Sequence, residues 1–163
     1  MMNILALDPG HLTGLMYICW EGSDQSVRVL ERGFFREKEL RFVLGKLFRE
    51  NPPDRILVER TQAHPVEGRT IRWLEQRKWL PYTVQPHLVH ALLFGRLLGN
   101  RDEEGQRIRT QIAEQYGIKG VLSMHELDAL LLVHFYLHEA EKRGADPEDP
   151  MWFYDVIRKQ LTI

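Results

Sequence analysis

Three apolar runs separated by turn residues open the chain. Asn3–Leu7 ends at Asp8-Pro9-Gly10, Gly14–Trp20 ends just before Gly22-Ser23-Asp24, and Val27–Phe35 follows. Short apolar runs bounded by Gly, Pro and Asp read as strands, and the short links between them predict an antiparallel meander. The period then changes. Leu40, Val43, Leu44, Leu47 and Phe48 recur at helical spacing and stop before Pro52-Pro53. Arg55–Val58 predicts a fourth strand, ending at Glu59, and Tyr82–Gln85 a fifth. Between them, Thr70–Leu80 predicts a helix with Trp73 and Leu74 on one side and Arg69, Arg72, Arg77 and Lys78 around it. His87–Leu98 and Glu103–Tyr116 also read as helices.

Ser123 opens the clearest helix. Glu126 stands three residues on, which makes a Ser-x-x-Glu capping box, and the nearly continuous apolar run Leu127–Leu137 predicts burial on most sides. After the turn residues Asp146-Pro147 and Asp149-Pro150, the positions Trp152, Phe153, Val156, Ile157 and Leu161 return to helical spacing. Asp149 is placed to cap that segment and Pro150 to occupy its first turn. The simplest expectation is a short tail helix docked on the domain, with docking on a partner as the alternative. Strands, helix, strand, helix, strand and then helices predict an α/β fold, a mixed sheet flanked by helices.

Length and composition narrow the class without identifying it. The 163 residues allow one self-sufficient domain. A single cysteine, Cys19, excludes an intramolecular disulfide and a Cys-rich zinc site. No apolar run approaches the length of a membrane span, and the first residues lack the pattern of a signal peptide. The expected setting is the reducing cytoplasm, with no membrane partner.

The net charge of −1 conceals an uneven distribution. Residues 28–109 hold 17 Lys and Arg against 11 Asp and Glu, so the excess acids lie outside that segment. A neutral total thus leaves room for a basic face, the footprint of polyanion binding, although such asymmetry is also common on ordinary surfaces.

Four residues draw attention as candidate chemistry. Asp8 follows an apolar strand and precedes Pro-Gly; a plain turn explains it alone, but a carboxylate at a buried strand end needs a cation or donor. Glu59 ends the fourth strand, where the chain simply reaching solvent is the plain reading. His125 and Asp128, three apart at a helix start, share one face, and Asp128 interrupts an apolar run where a charge is more often functional. An exposed polar first turn is the alternative. Glu126 is accounted for by the capping box. Together, Asp8, Glu59, His125 and Asp128 form a set that can converge on divalent cations, and carboxylate oxygens suit Mg²⁺ or Mn²⁺. Two such ions can activate a water and stabilise the leaving oxygen in phosphodiester hydrolysis.

The same motifs carry a family resemblance. Ile4-Leu5-Ala6-Leu7-Asp8-Pro9-Gly10 followed by Thr13-Gly14 resembles the opening of RuvC-type Holliday junction resolvases. That family's second acid ends the fourth strand, as Glu59 does. Its last two ligands open a late helix as Asp-x-x-Asp-Ala-Leu or His-x-x-Asp-Ala-Leu, and here the run is His125-Glu126-Leu127-Asp128-Ala129-Leu130. The resemblance spans residues 3–140. It implies a ribonuclease H-like fold with a five-stranded mixed sheet and helices on both faces. It also implies a homodimeric, structure-selective endonuclease of DNA recombination and repair that cuts branched DNA to a 5′-phosphate and a 3′-hydroxyl. Asp8, Glu59, His125 and Asp128 would then be the catalytic metal ligands for two Mg²⁺ ions, with Mn²⁺ as substitute and no small-molecule cofactor; His125 would be the fourth ligand or a general base. Residues 1–140 would form the nuclease domain and residues 141–163 a linker and tail helix.

Arg60, Arg69, Arg72, Arg77, Lys78, Arg96 and Arg101 are the candidate phosphate contacts, each alternatively a solvated surface charge. Trp73 and Trp79 are candidates for a dimer surface. Two further classes stay open: a nuclease for flaps, forks or RNA, and an inactive module that binds DNA or a partner.

Overall fold

The computed structural model describes residues 1–22, 27–61, 64–99 and 102–158. Five strands form one mixed sheet in the order β3-β2-β1-β4-β5. β1 (Met2–Asp8), β2 (Thr13–Trp20) and β3 (Val27–Phe35) make the antiparallel meander, while β4 (Arg55–Glu59) and β5 (Tyr82–Val84) run parallel to β1. The parallel pairs require crossovers, and helices supply them: α1 (Glu37–Glu50) before β4 and α2 (Pro65–Gln76) before β5.

Strand alternation divides the interior in two. Ile4, Ala6, Met16, Ile18 and Leu57 face the layer built on α5 (Met124–Lys142), and Leu5, Leu7, Leu15, Ile56 and Val58 face α1 and α2. Both faces are covered, so β1 reads as an unbroken apolar run. α3 (Pro86–Phe94), α4 (Glu103–Gln115) and α6 (Met151–Arg158) complete the α5 layer. On α6, Phe153 and Val156 are fully buried, and Phe153 packs edge-on against Tyr82 and Tyr136. The Tyr136 hydroxyl donates to the Pro147 carbonyl at 2.6 Å, and Arg55 donates to the Glu148 carbonyl, which ties the approach to α6 onto the body.

The helix starts follow local chemistry. Ser123 and Glu126 form the reciprocal capping box at the head of α5. α2, however, begins at Pro65, five residues before the sequence-predicted start, and ends at Gln76, short of Leu80. Pro65 has no N–H to lose at the first turn, and His64 Nδ1 accepts the Val66 N–H at 3.2 Å. Val66 is the only aliphatic residue between His64 and Arg69, so the apolar period begins later than the helix. Trp73 and Trp79 pack around Phe48, at 6.3 and 4.7 Å between ring centroids, and are half-buried in the α1–α2 layer rather than forming an open face. Among the described residues no helix is long and apolar enough to cross a membrane.

Candidate active site

β1, β3 and β4 all finish at one end of the sheet, where α1, α2 and α5 begin. Register brings the candidate residues into a row there. Asp8 pairs with Gly14, Gly14 pairs with Phe34, and Glu59 lies one residue past the Leu7–Val58 pair on the strand beside β1. Asp8 continues the alternation of Ile4 and Ala6, and Glu59 that of Leu57, so both acids point to the α5 face. Asp128 comes down on them from the second turn of α5. Gly14 is what lets α5 approach, since a Cβ built there would overlap the main-chain carbonyl of His125. The glycine of the opening motif thereby acquires a physical role.

The acids perturb one another. Glu59 donates its carboxyl proton in a hydrogen bond to Asp8. Burial is the main cause that raises Asp8 from 3.8 to about 6, with the charges of Asp128 and Glu67 adding to it against the lowering effect of the Glu59 bond and Arg109. Burial also raises Glu59, followed by the charge and hydrogen bond of Asp8 and the charges of Asp128 and Glu67. The pair therefore shares a proton near neutrality.

Two residues that sequence reasoning missed belong to this cluster. Glu67, 3% exposed in the first turn of α2, accepts the Thr61 N–H at 3.1 Å and also the Thr61 hydroxyl. Arg109, also 3% exposed, donates from Nε to Asp128 at 2.8 Å and from Nη2 to the Leu98 carbonyl at 3.0 Å. Gly105 leaves room for its guanidinium, because a Cβ there would crowd Nη1. Arg109 shares the inward stripe of α4 with Gly105, Ile112 and Ala113, and a charge on an apolar stripe was the available signal. For Glu67 the signal was an acid two residues after a helix-starting proline.

His125 lies at the edge of the set. Its main chain rests against Gly14, and its ring meets Phe34 at 5.9 Å between centroids. A cleft of about 170 Å³, lined by Glu59, Asp128, Arg109, His90 and Leu131, opens beside the acids. Among the described residues no three His, Cys, Asp or Glu side chains stand ready around a common point for an ion. The donor chemistry nonetheless fits a hard divalent cation: carboxylates from four elements, β1, β4, α2 and α5, crowd together, and their mutual repulsion is what such a cation relieves.

The predicted phosphate contacts separate into groups. Arg60, Arg69 and Arg72 line one open groove of about 520 Å³ along α2, together with Glu67 and Glu75. Arg69 is also paired in a fork with Glu37, at 2.7 and 3.0 Å. Arg36, Lys38 and Arg41 join Arg69 around a neighbouring depression, a basic cluster at the start of α1 that the sequence reading did not select. Elsewhere, Arg77 stacks on Trp73 at 4.0 Å, Lys78 adopts a left-handed backbone just after α2, and Arg96 is ion-paired to Glu104. Arg101 lies outside the described residues.

No family profile and no curated protein sequence matches the chain. Solved structures do. T. thermophilus RuvC, in complex with Holliday junction substrate, superposes with a TM-score of 0.67 at 16% identity over 90% of this chain and 99% of its own. The fold is that of the RuvC-type resolvases. A second structure of Thermus thermophilus RuvC gives a TM-score of 0.68 at 16% identity, over 86% of this chain and 96% of its own. The Fowlpox virus resolvase, solved with Holliday junction DNA, gives 0.58 at 15% identity, over 83% and 99%. The RuvC-like fold thus spans most of the chain, with sequence similarity too low for sequence comparison to detect it.

Proposed function

We propose that this protein is a divalent-metal-dependent endonuclease that resolves four-way DNA junctions as a homodimer. The observation that carries the reading is the convergence of Asp8, Glu59 and Asp128 below the start of α5, with Asp8 and Glu59 held above their ordinary protonation range. The likeness to resolvases solved with Holliday junction DNA supports the choice of substrate. Residues 1–140 would carry the nuclease, with α6 bracing its β5 side through Phe153 and Tyr82.

Asp8, Glu59 and Asp128 would hold Mg²⁺, or Mn²⁺ in its place, with His125 as a fourth ligand or as a base orienting the water. Bound divalent ions supply an activated water and positive charge at the leaving oxygen. The chain's own groups prepare the site. Glu59 would release its proton to solvent to hold a cation, so that both members of the pair bind as charged carboxylates. Arg109 holds Asp128 in one orientation and balances part of the negative charge. Arg60 and Arg72, with the α1 cluster, receive the backbone flanking the cut. A second copy supplies the second nick that a four-way junction needs.

Asp8→Asn, Glu59→Gln and Asp128→Asn should each abolish cleavage of a labelled four-way junction while leaving its binding in a gel-shift titration largely intact. Full activity in Asp8→Asn contradicts the assignment. His125→Asp should remain active, since a carboxylate can replace imidazole as a ligand; complete loss would give His125 a proton-transfer role instead.

A further inference from the structure

α5 carries a histidine pair that the acid site does not use. His134 and His138 are one helical turn apart, so their rings rise from the same face of α5. The ring centroids are 5.5 Å apart and the planes are tilted by 33°. Both histidines line a cleft of about 270 Å³ with Trp20, Tyr116 and Glu141. Trp20 pairs with Met2, whereas Asp8 stands at the other end of β1, roughly 20 Å away by strand rise. The cleft is therefore separate from the acid row.

The pair has the features of a ligand set. His134 Nδ1 meets the Tyr116 hydroxyl at 2.8 Å, and the Tyr116 ring stands edge-on to it at 5.6 Å between centroids. Tyr116 is buried at the C-terminal cap of α4, so a neighbouring helix fixes the orientation of the imidazole. With Nδ1 protonated and donating to that hydroxyl, Nε2 carries the lone pair, which is the arrangement of a metal-binding histidine. Burial, with the charge of His138 adding to it, holds His134 down at about 4, so this ring is neutral near pH 7. Two imidazoles on one tetrahedral ion, with Zn–N bonds of about 2.0 Å, have ring centroids about 5 Å apart, close to the spacing of this pair.

Among the described residues no third ligand stands ready beside the two rings. Glu141 lies three residues after His138 on the same helix face, is exposed, and lines the cleft, so its carboxylate can swing in. Burial first and the charge of Glu141 second raise the Tyr116 hydroxyl, which stays neutral behind His134.

We propose that His134 and His138 bind a divalent transition-metal ion of the Zn²⁺ class, with Glu141 and water completing the coordination. Imidazole nitrogen suits that class, whereas the oxygen donors of the acid row suit Mg²⁺. Through Tyr116 the ion would brace the joint between α4 and α5, the joint that also carries Arg109 to Asp128. The inference goes beyond the nuclease reading and does not depend on it.

The test is a Zn²⁺ titration of tag-free, full-length Asp8→Asn protein in competition with a chromophoric chelator. Adding His134→Gln and His138→Gln together should lower the bound Zn²⁺ by one ion per chain. His138→Cys, which keeps a ligand at that position, should retain the ion, and this separates ligation from folding. Tyr116→Phe should weaken Zn²⁺ binding about 10- to 100-fold, the usual effect of losing the group behind a ligating imidazole. Cu²⁺ in the same protein should show nitrogen hyperfine splitting from two imidazoles in electron paramagnetic resonance, and the signal should disappear in the double histidine variant. Equal Zn²⁺ stoichiometry with and without the two histidines overturns the site. So does identical Zn²⁺ binding by His138→Gln and His138→Cys, which would leave the pair as packing around Tyr116.

Discussion

Removing a charge from the acid row should make the protein more stable. Asp8 has its carboxyl raised from 3.8 to about 6, chiefly by burial. A carboxyl whose pKa is higher in the folded state binds its proton more tightly there. Its penalty is absent at low pH, grows as pH rises from about 4 through about 6, and is constant above that. Holding the Asp8 carboxyl at about 6 instead of 3.8 corresponds to about 3 kcal/mol, part of which belongs jointly to the Asp8–Glu59 pair. Asp8→Asn keeps the shape and still accepts the Glu59 proton, so it should recover about 1–3 kcal/mol at pH 8. For a chain of this length that is a rise in Tm of about 3–10 °C. The assay is thermal unfolding by circular dichroism in EDTA at pH 4, 6 and 8. The gain should be largest at pH 8 and vanish near pH 4, and Mg²⁺ should narrow it by stabilising wild type alone. Equal Tm values at pH 8, or a gain that persists unchanged at pH 4, would refute the reasoning.

Three further outcomes follow from the same geometry. Arg109→Met leaves Asp128 without its ion-pair partner in a partly buried position, and should cost about 3 kcal/mol in urea unfolding; a loss below about 1 kcal/mol would show the pair to be incidental. Gly14→Ala should push the start of α5 off the sheet, so cleavage should fail together with a large drop in Tm, whereas normal activity would mean that α5 need not approach so closely. Arg72→Gln should lower the salt slope of junction binding by about one, and an unchanged slope removes Arg72 from the interface.

The acids were legible because each marks the point where an apolar strand or helix run is broken by a charge. The sheet was legible for a related reason: Asp8-Pro9-Gly10 and the turn after Trp20 leave the meander few alternatives. The start of α2 was not, because His64–Arg69 is set by a cap and a proline rather than by an apolar period. That displacement also hid Glu67, which enters the acid cluster only when α2 begins at Pro65. Arg109 escaped because its partner, Asp128, is 19 residues away and only the α4–α5 packing joins them. The basic candidates divided for the same reason. Glu37 meets Arg69 across 32 residues, while Arg36, Lys38 and Arg41 gather around Arg69 only once α1 and α2 lie side by side.

The most direct measurement is cleavage of a labelled four-way junction beside matched duplex, flap and single-stranded DNA, with Mg²⁺ or Mn²⁺ and with Asp8→Asn as control. Paired nicks confined to the junction, absent without divalent ion and absent in the variant, are the predicted result. Junction binding with no cleavage of any substrate would contradict the catalytic claim, and cleavage that persists in Asp8→Asn would contradict the site.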